Sequence, residues 1–108
     1  MDYHGTLHIY SPALWHDDAW IAGTPDALEA LRDAINVALA SGDGACKSFA
    51  ADGEGFAAIV LRVDEAVAVT LRVPYTDDVA KDAGEYGRHP SEIIIGSGRY
   101  RDLGISGS

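Results

Sequence analysis

Cysteine is almost missing from this chain: Cys46 is the single one among 108 residues. No intramolecular disulfide is available, and one free thiol suits a reducing compartment, so a cytoplasmic location is expected. Long apolar runs are missing too. The longest, Phe56–Leu61, has the length of a strand and falls far short of the ~20 residues that span a bilayer. The opening Met-Asp-Tyr-His-Gly has neither the basic nor the apolar part of a secretory leader. Positive charge is scarce: eight Lys and Arg stand against seventeen Asp and Glu, for a formal charge of -9. Phosphate backbones and anionic lipid are gripped by clustered Lys and Arg, so direct contact with nucleic acid or membrane is not expected. Internal repeats and low-complexity stretches are absent.

What is present is enough for one folded domain. Hydrophobic residues make up 47% of the chain, too many for a disordered polymer, and the length fits one core. The acid excess is uneven. Residues 1–54 carry nine acids and two bases, with no Lys or Arg before Arg32, whereas residues 55–108 carry eight acids and six bases. Solubility alone accounts for such a surplus; a surface that meets a basic partner accounts for its bias.

Periodicity orders the elements. His4–Tyr10 alternates as a strand, with Leu7 and Ile9 on one face and Thr6, His8 and Tyr10 on the other, and Ser11-Pro12 ends it. Asp18–Ala22 reads as a second short strand. Thr24-Pro25-Asp26 is a helix start, with Thr24 as N-cap, Pro25 at the first helical position and Asp26 at the positive end of the dipole. Leu28, Leu31, Ile35, Ala38 and Leu39 recur at helical spacing until Ser41-Gly42, so a helix is expected over 25–40. Asp52-Gly53 between two apolar runs, 45–51 and 55–63, predicts a hairpin, and the alternating Val67–Val73 a third strand of the same meander, with Asp64-Glu65 as the turn. A short helix is expected over 77–83 and a last short strand over 92–95. The fold class is therefore α+β: an antiparallel sheet of four to five strands covered on one face by one main helix, in the order ββαβββα. Residues 1–95 form the domain and 96–108 a polar, Gly-rich tail.

Three motifs of chemical appearance dissolve on inspection. Ser41–Ser48, SGDGACKS, places Ser41 and Cys46 where a phosphate-binding loop has glycines, and runs from helix to strand instead of strand to helix. Gly96-Ser97-Gly98 has Arg101 in place of the third glycine of a dinucleotide fingerprint and no βαβ context. His4 and His8, four apart on a strand, lie ~13 Å from one another and do not share an ion. The neighbours His16, Asp17 and Asp18 diverge on extended chain. No metal site and no cofactor is expected. Cys46, on a strand among small residues, reads as a buried structural thiol and not as the nucleophile of a Cys–His pair, so no catalytic residues are assigned.

Surface features remain. Trp15-His16-Asp17-Asp18-Ala19-Trp20 joins two aromatics to two acids in an early loop, and Tyr75-Thr76-Asp77-Asp78 repeats the combination. Aromatic anchors beside charge are the material of interface hot spots, so Trp15, His16, Asp17, Asp18, Tyr75, Asp77 and Asp78 are the candidate partner-binding residues. Alternatively, Asp77 and Asp78 simply favour a helix start.

At the strand–helix junction, Trp20–Leu31 (WIAGTPDALEAL) resembles small bacterial immunity-type proteins of toxin–immunity systems, whose main helix opens on a hydrophobic-x-Gly-Thr/Asn-x-x-x-Leu-x-x-Leu pattern. The resemblance implies a cytosolic, acidic, non-enzymatic inhibitor of a partner toxin, and the acid excess adds the expectation that the partner protein, a toxin or nuclease, is basic. No binding residue carries over from it, since the pattern's positions are mostly core. Two other readings stand beside this one: a phage-encoded inhibitor of a host defence nuclease of the CRISPR type, acting by DNA mimicry, and a small enzyme or ligand-binding domain. An exposed strand edge would also permit a homodimer, but the sequence locates none.

Overall fold

In a computed structural model, which describes residues 2–82 and 87–96, the chain is α+β: one mixed four-stranded sheet and four helices. The strands are β1 (Tyr3–Tyr10), β2 (Trp20–Gly23), β3 (Asp43–Phe49) and β4 (Gly55–Leu61), in sheet order β2-β1-β3-β4. The helices are α1 (Pro25–Ser41), α2 (Glu65–Ala68), α3 (Asp78–Asp82) and α4 (Pro90–Gly96).

The sheet is not wholly antiparallel. β1 pairs with β2 antiparallel but with β3 in parallel, Tyr3 opposite Lys47 and Thr6 opposite Phe49. Local patterning shows hairpins; it does not show that α1 carries the chain past β1 and lays β3 along its far edge. The register shifts between Tyr3 and Thr6, where Gly5 adopts φ 55. That irregularity resets the alternation, so Tyr3 lies on the face away from α1 while Leu7 points under the helix.

α1 begins and ends where its capping residues dictate. Pro25 occupies the first turn, and Gly42, at φ 105, turns its N–H back to the Ala38 carbonyl. Thr24 sits in the N-cap position without capping through its side chain; its hydroxyl donates instead to Asp26 Oδ1 at 2.6 Å. The buried face is Ala27, Leu31, Ala34 and Ala38, while Leu28, Ile35 and Leu39 are exposed on the flank. The helix is thus rotated toward its small residues. The reason lies in β3: a Cβ on Gly44 would stand 3.1 Å from the Ala34 carbonyl carbon and 3.3 Å from the Ala38 nitrogen. Helix and strand backbones touch here, and only alanines fit the seam. Leu7, Ala27, Leu31, Ala34, Cys46 and Ala58 form the core, with Phe56 and Val60 packed against it.

β3 and β4 form the expected hairpin about Asp52-Gly53, with Gly53 at φ 89 and the Asp52 carboxylate accepting from the Glu54 N–H. The strand expected over 67–73 does not form. Asp64 is a helix cap, its carboxylate accepting from the Val67 N–H, and Glu65–Ala68 coil into α2; only Leu71 returns to extended pairing, in a single bridge with Arg88. The valine alternation lost to a local start signal, acid at the cap and acid in the first turn. The strand expected over 92–95 is α4, opened by Pro90 at a position that suits proline. The observed order is therefore ββαββααα. The helix expected over 77–83 is α3, whose end at residue 83 and beyond, like the tail from Ser97 onward, lies outside the described residues. No described helix is long and apolar enough to cross a membrane.

Candidate partner-binding site

The loop between β1 and β2 leaves the sheet at Ser11-Pro12 and closes on itself. The Leu14 N–H donates to Asp17 Oδ2 at 3.1 Å and the Asp17 N–H to the Leu14 carbonyl at 3.2 Å. His16, inside this turn, adopts the left-handed φ of 66 that few side chains take. The turn holds Trp15 outward, 49% exposed.

The second aromatic–acidic segment docks on this loop. The Thr76 N–H donates to the Pro12 carbonyl at 3.2 Å and the Asp77 N–H to the Ala13 carbonyl at 3.0 Å. Tyr75 meets Trp15 edge to face, ring centroids 6.5 Å apart and planes at 68°. The two segments that the sequence singled out separately are thereby one surface. It carries the Trp15–Tyr75 pair, His16, and the carboxylates of Asp17, Asp18, Asp77 and Asp78, all exposed apart from the half-buried Tyr75. No Lys or Arg lies in 11–19 or 73–78 to neutralise them. Two carboxylates also serve the backbone: Asp17 closes the turn, and Asp77 Oδ1 accepts from the Val79 N–H at the start of α3. Asp18 and Asp78 flank them. Ala80, in α3, is fully buried.

Sequence reasoning named Trp20 in the segment of Trp15 but missed Tyr10, its partner across the mouth of the loop. Tyr10 and Trp20, opposite one another where β1 and β2 enter and leave it, are 51% and 66% exposed, and Ile9 and Ile21 on the other face are as open. Strand alternation makes half of such residues core. Here the tip of the hairpin carries apolar residues on both faces with neither face buried.

A second concavity, of about 450 Å³, lies between α1 and the start of β3, lined by His4, Asp26, Glu29, Asp33, Asp43 and Cys46 among others. Its chemistry is acidic without being nucleophilic. Cys46 is 4% exposed, and burial pushes its thiol above the ordinary range, which disfavours the reactive thiolate. Asp26 is held below the usual carboxylate range, chiefly by the Thr24 hydroxyl. Two histidines serve elsewhere: His8 Nε2 accepts from the Ala51 N–H at 2.9 Å, and His89 Nδ1 accepts from the Ser91 N–H. Among the described residues no three His, Cys, Asp or Glu side chains are grouped to hold a metal ion.

No family model, no curated protein and no solved structure matches this chain.

Proposed function

We propose that this chain is a non-enzymatic, acidic interaction protein that binds and neutralises a basic partner protein, as an immunity-type inhibitor does. The observation that carries the reading is the junction of the two aromatic–acidic segments. Trp15 and Tyr75 contact each other, and their segments are tied together by two backbone hydrogen bonds, Thr76 to Pro12 and Asp77 to Ala13, with four aspartates alongside. Aromatic anchors fixed by their own fold lose little freedom on binding, and charge around them accelerates encounter. The acid excess of the first half continues along α1 through Asp26, Glu29 and Asp33, so the field extends beyond the contact.

The test begins with affinity capture of a basic partner from the source cell. Trp15→Ala with Tyr75→Ala is expected to weaken the isolated complex about thirtyfold or more, the effect of a hot-spot residue. Asp18→Asn with Asp78→Asn is expected to slow association and flatten its salt dependence while leaving dissociation nearly unchanged. Association that is indifferent to salt, or a complex indifferent to the aromatic substitutions, refutes the reading.

A further inference from the structure

The sheet has two edges, and their charges differ. β2 is four residues long, and the charges nearest its ends are Asp17 and Asp18 before it and Asp26 after it. A second copy laid along it would bring carboxylates together at both ends. β4 is seven residues of GFAAIVL without proline, Lys or any other charge to blunt the edge, and it is bounded by Glu54 on one side and Arg62 on the other. Among the described residues no strand lies beyond it.

Backbone alternation says which groups of β4 are on offer. The Arg62 N–H donates to the Gly42 carbonyl and the Ala50 N–H to the Glu54 carbonyl, which fixes the even-numbered residues of the ladder as those bonded between β3 and β4. Gly55, Ala57, Ile59 and Leu61 therefore direct their N–H and C=O groups outward. An antiparallel two-fold pair must match outward residues with outward residues, which limits the registers. Centred on Ala58, all seven residues pair: Gly55 with Leu61, Phe56 with Val60, Ala57 with Ile59, each twice. Glu54 of each copy then stands opposite Arg62 of the other. Centred on Ala57, fewer strand residues pair; centred on Ile59, Glu54 faces Asp64. Asp52 of one copy and Asp64 of the other face one another beyond the ladder in the favoured register, where each carboxylate already accepts an N–H of its own chain, from Glu54 and Val67.

We infer that β4 is the seam of a homodimer, pairing antiparallel with β4 of a second copy about a two-fold axis at Ala58 and closed at both ends by Glu54–Arg62 ion pairs. The two four-stranded sheets become one of eight strands. The inference stands independently of the partner-binding surface, which lies at the loop between β1 and β2.

Sedimentation equilibrium from about 1 µM to about 1 mM tests it. The wild-type chain is expected to move reversibly between one and two chain masses, and to dimerise more tightly as salt screens the net charge of -9 on each copy. Ala57→Pro removes an outward N–H at no cost to the β3 ladder and is expected to abolish the dimer while far-UV circular dichroism keeps its wild-type form. Glu54→Lys, at an exposed position, reverses both end pairs and is expected to weaken the dimer about tenfold, with Glu54→Arg/Arg62→Glu restoring it. A wild-type chain that stays monomeric to about 1 mM overturns the inference. So does a dimer indifferent to Ala57→Pro in a folded chain, or one indifferent to Glu54→Lys. Glu54→Lys decides alone should Ala57→Pro not fold.

Discussion

Replacing Gly44 by alanine adds one methyl group where the backbones of β3 and α1 touch. The new Cβ would lie inside the 3.0 Å that real Cβ atoms essentially never cross, against the Ala34 carbonyl oxygen, with Ala34 C and Ala38 N next in line at 3.1 and 3.3 Å. All three obstacles are backbone, so no side chain can swing away, and α1 must retreat from β3 until contacts relax toward 3.4 Å. That retreat loosens the packing of Ala27, Leu31, Ala34 and Ala38 over Cys46 and Ala58 together. Overpacking of a close-packed core costs about 1–3 kcal/mol, and a backbone obstacle places this case at the upper end. Against it, alanine lowers the entropy of the unfolded chain by about 0.4–1 kcal/mol. A net loss of about 2 kcal/mol follows, which at this size lowers Tm by roughly 10 °C. Thermal unfolding followed by circular dichroism measures it directly. Ala34→Gly in the same background removes a side chain without moving the obstructing carbonyl and is expected to give no rescue. An unchanged or raised Tm for Gly44→Ala, or full rescue by Ala34→Gly, would show that helix and strand are not in backbone contact.

Cys46 offers a second check. A buried acid whose folded pKa is raised stabilises the protein below its unfolded value, ordinarily about 9.0, and that contribution is lost as pH rises through the folded value. The thiol is therefore expected to react with a thiol reagent far more slowly than a free cysteine at pH 8 and at full rate in denaturant, while stability falls as pH is raised beyond 9. Asp26 shows the opposite sign: its folded carboxyl titrates below 3.8, so its contribution is present above that pH and lost as pH falls through the lowered value. Thr24→Val removes the hydroxyl donor, and the Asp26 carboxyl resonance is expected to titrate at higher pH in the variant; an unmoved titration would mean that the 2.6 Å bond does not hold in solution.

The legible parts of the fold were those specified within a few residues of one another. The α1 limits follow from Pro25 and Gly42, and the β3–β4 turn from Asp52-Gly53. Where two local signals competed, the sequence misled: Val67, Val69, Leu71 and Val73 alternate as a strand should, yet Asp64 and Glu65 start a helix ahead of them. Pro90, which opens α4, is likewise a stronger signal than the isoleucine run behind it. The parallel β1–β3 pairing had no local signature, since Tyr3 meets Lys47 only because α1 intervenes. The candidate site was half legible. Each aromatic–acidic segment could be named, but their contact is tertiary, and the hydrogen bonds of Thr76 and Asp77 to Pro12 and Ala13 belong to no pattern of spacing. The helix face was misjudged by one flank, because a glycine on another element decided which side of α1 comes nearest.

The place of β1 between β2 and β3 bears on how the chain assembles during synthesis. Of the four strands, β1 is made before the others: it finds one neighbour soon, in β2, but waits for the whole of α1 before the other arrives. Until then an apolar edge with Leu7 at its centre is open to any nascent chain nearby, and contacts so distant along the polymer form slowly. Closure of β3 onto β1 is thus the step at which this edge is hidden from neighbouring chains.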